Sequence, residues 1–295
     1  MELRVLEYFL AVVREGTLSG AAEALHLTQP TLSRQIRELE EQLGVTLFLR
    51  GNRQVTLTPE GTLLRRRAEE ILSLVSKTQG ELLATDEAIV GDVLLGAAET
   101  NCLRPLSRVA IALQKEQPGI RFLITGGDSE TLRERLDRGL LDFALLMGQP
   151  DTERYESLPM QRQDRWGLLA RSGTALAGMA TVTAADLVGE PLILPAQASR
   201  EGAPAAWLRG IVPLRTAATY DLTNHAVMLV EEGMGSAVVP EGLCSTCEFS
   251  PMTFRPLQPP VAAGLHLVWK RYQVFSRAAA LFLERASQAS ARGEI

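Results

Sequence analysis

The chain has 295 residues, enough for two or three domains with cores of their own. Lys and Arg number 30 against 35 Asp and Glu, a net charge of −5, so bulk charge does not advertise a nucleic-acid partner. Apolar residues make up 46%, no run approaches the roughly 18 uncharged apolar residues of a membrane span, and Glu2, Glu7 and Glu15 are wrong for a secretory signal, so a cytoplasmic protein with no membrane partner is expected.

Residues 2 to 15 carry Leu3, Leu6, Phe9, Leu10 and Val13 at helical spacing. A second helix is expected from Ser19, whose hydroxyl would cap its first turn. Ala21, Ala22 and Leu25 share one face of it, and His26 and Leu27 end it. Thr28 is placed to cap a third helix, and Pro30 falls in its first turn, where no N–H is needed. Leu32, Ile36, Leu39 and Leu43 form its buried stripe, and Gly44 fits its stop.

The opposite face of this third helix gathers Gln29, Thr31, Ser33, Arg34, Gln35 and Arg37 near its N-terminus. Such side chains suit base edges and phosphates, and a helix N-terminus favours phosphate. The same face would also serve as the solvated side of some other all-α domain. Residues 46 to 58 read as a strand, a turn at Arg50-Gly51-Asn52-Arg53, and a second strand with Val55 and Leu57 alternating. Helices followed by a hairpin make a winged helix-turn-helix, with the helix-turn-helix at about 18–37. Residues 1 to 58 hold six arginines against seven glutamates, so position rather than net charge must make the DNA contact. One copy makes few phosphate contacts, so useful affinity calls for a second.

Thr58 and Pro59 are placed to start a helix running to about residue 88. Leu64, Ala68, Ile71, Val75, Thr78 and Leu82 recur at heptad spacing along it. That narrow seam fits either a partner helix or the protein's own core. Arg65, Arg66 and Arg67 lie near its start.

From residue 91 strands alternate with helices, the pattern of an α/β fold with a parallel sheet. Strands are expected at 93–98, 120–125, 142–147, 165–170, 191–194, 216–220, 236–239 and 265–270. Helices are expected at 103–117, after Asp128 or Ser129, at 224–232 and from about Val274. Open α/β sheets bind ligands beyond the carboxyl ends of their strands. Those ends bring forward Thr100 and Asn101, Thr125 and Gly127, Met147, Ser199 and Thr223. Thr100 and Thr125 stand out, each offering a hydroxyl beside free backbone N–H groups, which suits a small anion such as a carboxylate. Ordinary loop polarity would produce the same residues. No arginine at these strand ends would neutralise a carboxylate, which leaves room for a ligand of lower charge.

The stretches LRVLEYFLAVVREGTLSGAAEALHLTQPTLSRQIRELEEQLGVTLFLR and TLTPEG resemble the LysR-type transcriptional regulators, and the likeness extends over essentially the whole chain. It implies a winged helix-turn-helix, mainly α, at 1–58, joined by a long linker helix at 59–89 to a two-lobed α/β effector domain at 90–295 that resembles periplasmic binding proteins. Lobe I would span about 90–161 and 267–295, and lobe II about 162–266. The implied function is sequence-specific binding of double-stranded DNA, modulated by a small-molecule effector between the lobes. Gln29, Pro30, Thr31, Ser33, Arg34, Arg37, Arg50 and Arg53 would touch DNA. Ser or Thr at the positions of Thr100 and Thr125 would touch the effector. The linker helix would pair two subunits of a homodimer or tetramer, and RNA polymerase would be a further partner. No cofactor is implied.

Nothing in the motifs calls for an enzyme. Neither phosphate-loop pattern surrounds Gly126-Gly127, and no G-x-S-x-G elbow is present. Cys244 and Cys247 form a C-x-x-C without the further ligands zinc needs or a thioredoxin-like context, although some LysR-type regulators sense oxidants through cysteines. Cys102 reads as a small buried filler. The rival from another class is a solute-binding or enzymatic α/β protein with an N-terminal helical interaction domain.

Overall fold

The computed structural model describes residues 2–50, 55–83, 89–196, 202–244 and 250–295. The chain divides into two compact units, Met1–Ala84 with Arg138–Leu140, and Thr85–Asp137 with Leu141–Ile295.

In the first unit, α1 (Leu3–Glu15), α2 (Leu18–Ala24) and α3 (Gln29–Leu43) precede a hairpin of β1 (Phe48–Arg50) and β2 (Val55–Leu57), and α4 (Pro59–Leu83) follows. Leu6 and Phe9 of α1, Ala21 and Ala22 of α2, and Leu32, Ile36 and Leu39 of α3 meet in one core. The alanines let the helix backbones approach. Thr17, not Ser19, caps α2: its backbone is extended and its side chain accepts from Gly20 N–H at 3.0 Å. Ser19 already lies inside the helix, where it cannot act as the half-in residue a cap must be.

Helix α3 starts and stops as its residues dictate. Thr28 Oγ1 accepts from Thr31 N–H, Pro30 sits in the first turn, and Gly44 closes the helix with φ +68°. Glu40, late in α3, accepts from the N–H groups of Leu47 and Phe48 at 2.7 and 3.2 Å. It thereby holds the first wing strand against the helix. The strands pair antiparallel, Phe48 with Leu57 and Arg50 with Val55. The expected turn beyond Arg50 falls on 51–54, outside the described residues.

The TLTPEG stretch now has a physical reason. Thr58 Oγ1 donates to Thr46 C=O at 2.7 Å and accepts from Gly61 N–H at 2.9 Å, so one buried hydroxyl joins the wing to the first turn of α4. Any Cβ at Gly61 would lie 2.2 Å from Leu47 O, so only glycine permits that approach. The heptad seam of α4 is used differently from a free partner-facing stripe. Ala68 is fully buried, and Leu64 and Ile71 pack on the same core as α1. The front half of the seam is therefore spent inside the chain, because Ala68 is small enough to seat α4 on α1.

The second unit contains β3 (Gly91–Ala97), α5 (Leu103–Glu116), β4 (Ile120–Gly126), α6 (Ser129–Asp137), β5 (Phe143–Met147) and β6 (Tyr155–Arg171). Then come β7 (Val182–Thr183), β8 (Pro191–Pro195), α7 (Gly202–Leu208), β9 (Arg215–Tyr220), α8 (Thr223–Glu231) and β10 (Ser236–Pro240). The last elements are β11 (Met252–Gln258), β12 (Ala262–Lys270) and α9 (Arg277–Ala291). The strands run in the order β4-β3-β5-β12-β6-β10-β8-β9, with β11 against β6 and β7. Strand β6 belongs to both lobes: Tyr155–Arg165 pairs with β12, and Trp166–Arg171 pairs with β10 and β11.

The sheet is mixed rather than parallel. Pairs β3–β4, β3–β5, β8–β9 and β8–β10 are parallel, whereas β12 runs antiparallel to β5 and β6. The strands that cross between lobes return without a covering helix, which the parallel arrangement would need. In lobe I, Phe143 and Leu145 face α5 and α9, where Leu106, Leu113, Ala279 and Phe282 complete the core. Ala144 and Leu146 face Leu132 and Leu136 of α6, as strand alternation requires. Lobe II repeats the scheme, with Leu168, Leu192 and Val238 on one face and Leu169, Ile193, Ala237 and Val239 toward α8 on the other.

Candidate functional site

The N-terminal half of α3 presents Gln29, Pro30, Arg34 and Arg37 exposed, with Thr31 and Ser33 half-buried beside them. Opposite, Leu32, Ile36 and Leu39 are sealed in the core, so the polar face is fixed by packing. Thr28 and Thr31 share a hydroxyl hydrogen bond of 2.8 Å, which stiffens the first turn. Arg34 reaches back to Glu38 at 3.6 Å, with its side chain 71% exposed. An exposed pair of this kind exchanges readily for a better anion. Strand β1 ends in Arg50, and Arg53 lies outside the described residues.

In the second unit a cleft of about 710 Å³ opens between the lobes. That volume suits a small molecule. Lobe I contributes Ala97, Glu99, Thr100, Leu103, Ile124 and Gly126. Lobe II contributes Thr223, Asn224, Val227 and Glu231 of α8, with Cys244 and Met252 nearby. The segment after β3 ties the lobes together. Glu99 Oε2 accepts from Thr223 N–H at 2.6 Å, and Asn101 Nδ2 donates to Glu241 C=O.

Thr100 lines this cleft, yet its hydroxyl is already engaged: it accepts from Cys102 N–H at 2.9 Å and stands by the Asp164 carboxylate, whose charged form it favours. Asp164 comes from the crossover strand β6 and is 4% exposed. Burial raises its pKa above the ordinary carboxylate value, while bonds from Thr100, Cys102 and the Asn101 backbone pull the other way. Burial and then the Asp164 charge push the Cys102 thiol up to about 11, so it is no thiolate at neutral pH. Cys244 is also raised, by burial first and by Glu99 second. Its partner in the C-x-x-C, Cys247, lies outside the described residues.

Among the other sequence candidates, Thr223 lines the cleft. Asn101 instead faces a hollow beside the crossover with Arg104, Gln163 and Asp164. Thr125 is not among the lining residues, although its neighbours Ile124 and Gly126 are, because alternation along β4 turns it to the other face. Gly127 packs near Leu132, and Met147 packs against the core of lobe II. Ser199 lies outside the described residues. Glu231 lines the cleft without having been singled out from the sequence; Glu99 adjoined the strand-end candidates without being chosen, and Cys244 was weighed only as half of a C-x-x-C.

Residues 3–62 match the model of the bacterial regulatory helix-turn-helix protein, lysR family, and residues 87–291 match the LysR substrate binding domain. The chain belongs to the LysR family. Membership makes it a DNA-binding transcriptional regulator with an effector-binding domain, and sets aside the rival of an α/β enzyme carrying a helical appendage. Among LysR relatives, the HTH-type transcriptional regulator ClcR of Pseudomonas putida is 30% identical over 82% of this chain and 83% of its own length. The regulator BudR of Raoultella terrigena is 27% identical over 96% of this chain and 99% of its own. A full-length CbnR solved with its target DNA has the same fold, with a TM-score of 0.76 at 24% identity, covering 98% of this chain and 100% of that one. No helix among the described residues is long and apolar enough to cross a membrane.

Proposed function

We propose that this LysR-type regulator reads double-stranded DNA with the exposed N-terminal face of α3 and answers to a small molecule held between the lobes of its second unit. The carrying observation is that face itself: polar and cationic side chains held outward by a sealed stripe, at a capped helix N-terminus. Gln29, Thr31 and Ser33 are the base-reading candidates, Pro30 shapes the first turn, and Arg34 and Arg37 take phosphate. Arg50 and Arg53 add wing contacts. The reader works as a homo-oligomer in the cytoplasm, with RNA polymerase as the further partner, and the signal needs no cofactor. The back half of the α4 seam, Val75 and Thr78 onward, remains for subunit pairing, since the front half is used within the chain.

Fluorescence anisotropy of the full-length protein on DNA from upstream of its own coding sequence, against random DNA over a salt series, tests this. Arg34→Ala should weaken binding to both DNAs and flatten the salt slope by about 1. Ser33→Ala should cost affinity on the upstream fragment, by a factor of about 10 or less, and little on random DNA. Equal loss on both DNAs removes Ser33 from base reading. No salt-dependent binding at all removes the α3 face as the reader.

A further inference from the structure

The anion seat in the cleft is filled from within. Helix α8 turns its N-terminus toward the cleft, and its cap residue, Leu222, supplies no capping side chain. Glu99, at the end of β3 in the other lobe, takes that role through its bond to Thr223 N–H. A free carboxylate would have to displace a tethered one, whose effective concentration is of order millimolar. The opposite end of α8 offers the reverse charge. Glu231 ends the helix, at the negative end of its dipole, and it lines the cleft. No Lys, Arg or His is among the described residues lining the cleft. The guanidinium of Arg171 lies beside Gly233, just past α8, and is not part of the lining. Leu103, Ile124, Val227, Leu243 and Met252 make much of the remaining wall apolar, with Thr100, Asn224 and Ser250 as neutral polar members.

We propose that the cleft binds an organic cation with an apolar body, its ammonium seated at Glu231, and that Glu99 excludes carboxylate ligands by occupying the N-terminus of α8. This deepens the effector reading above and rests on it for its regulatory meaning. The test is calorimetric titration of the full-length protein, without DNA, with 2-phenylethylamine and with 3-phenylpropionate, which share a hydrocarbon body and differ in charge. The amine should bind with a Kd lower by a factor of about 10 or more. Glu231→Gln should reduce that preference to about twofold or less, and Glu231→Lys should reverse it. Glu99→Ala, which vacates the α8 N-terminus, should strengthen binding of 3-phenylpropionate by about fivefold or more, with no gain for the amine. Reversal and strengthening are gains that a misfolded variant cannot imitate. Equal or tighter binding of the acid by the unsubstituted protein, or no heat from either probe at roughly 10 mM, overturns the proposal, as does a Glu99→Ala variant with unchanged acid affinity. Because DNA is absent, amine binding that leaves DNA affinity unaltered upholds the cation site and sinks the regulatory reading. Acid preference alongside regulated DNA binding does the opposite.

Discussion

Asp164 is the residue whose surroundings fit it least comfortably. Its carboxyl is buried on the crossover strand, and Oδ2 has no hydrogen-bond partner. Burial raises its folded pKa above 3.8, so between those two values the folded state holds the proton that the unfolded state has lost. Stability therefore falls as pH rises through that window, and the penalty is absent below 3.8. Asp164→Asn removes the charge and keeps the shape. Its melting temperature relative to the unsubstituted protein should rise from about pH 4 to about pH 7; a gap that narrows toward neutrality would show that the anion is stabilising where it sits. Cys102, 3.6 Å from the same carboxylate and pushed up to about 11, should resist iodoacetamide at neutral pH until the chain unfolds. Labelling of the native protein at Cys102 would contradict its burial.

At the scale of elements, the wing and α4 depend on one clamp. Thr58 joins the carbonyls at the base of the wing to the Gly61 amide, and Glu40 holds the same base through the Leu47 and Phe48 amides. Thr58→Ala should cost about 1–2 kcal/mol in denaturant unfolding of the full chain. Gly61→Ala should cost more, because a methyl cannot sit 2.2 Å from a backbone oxygen. A harmless Gly61→Ala would mean the wing is not docked on α4 as described. Much of this was legible in the residues. Thr28, Pro30 and Gly44 mark the ends of α3 by local chemistry, and local chemistry is what a sequence displays. Helix α7 and strand β11 gave no such signal: α7 is short and contains Gly202 and Pro204, and β11 carries Pro256 within its run. The first half of β6 was hidden because its side chains alternate only weakly between buried and exposed. Strand parity turns Thr125 away from the cleft that Ile124 and Gly126 line, and the tie from Glu99 to Thr223 could not be read locally, since the partner lies 124 positions away.

Across the second unit as a whole, the joining of the lobes decides where it can bend. Strand β6 passes from one lobe to the other without a break, and β12 accompanies it through the crossing. Their register is broken at one place. Gly264 opposes Gln163 while His266 opposes Pro159, so β6 spends extra residues between them. Pro159 has no N–H to give the ladder, and the unpaired residues of a bulge leave backbone groups without strand partners. Just beyond, β6 enters the sealed core with Leu168, Leu169 and Ala170 fully buried. A bend between lobes should therefore concentrate at 159–163 and 264–266, with the flanking strands moving as rigid parts. Hydrogen exchange of the full chain reads this directly. Amides at Gln161 and Arg162, whose side chains are exposed and whose opening costs at most the Gln161 N–H bond to Ile295 C=O, should exchange faster than those at Leu168 to Ala170, which open only with the core of lobe II. Uniform protection along the whole of β6 would mean that the lobes form one stiff sheet, and that a ligand between them has no hinge through which to act.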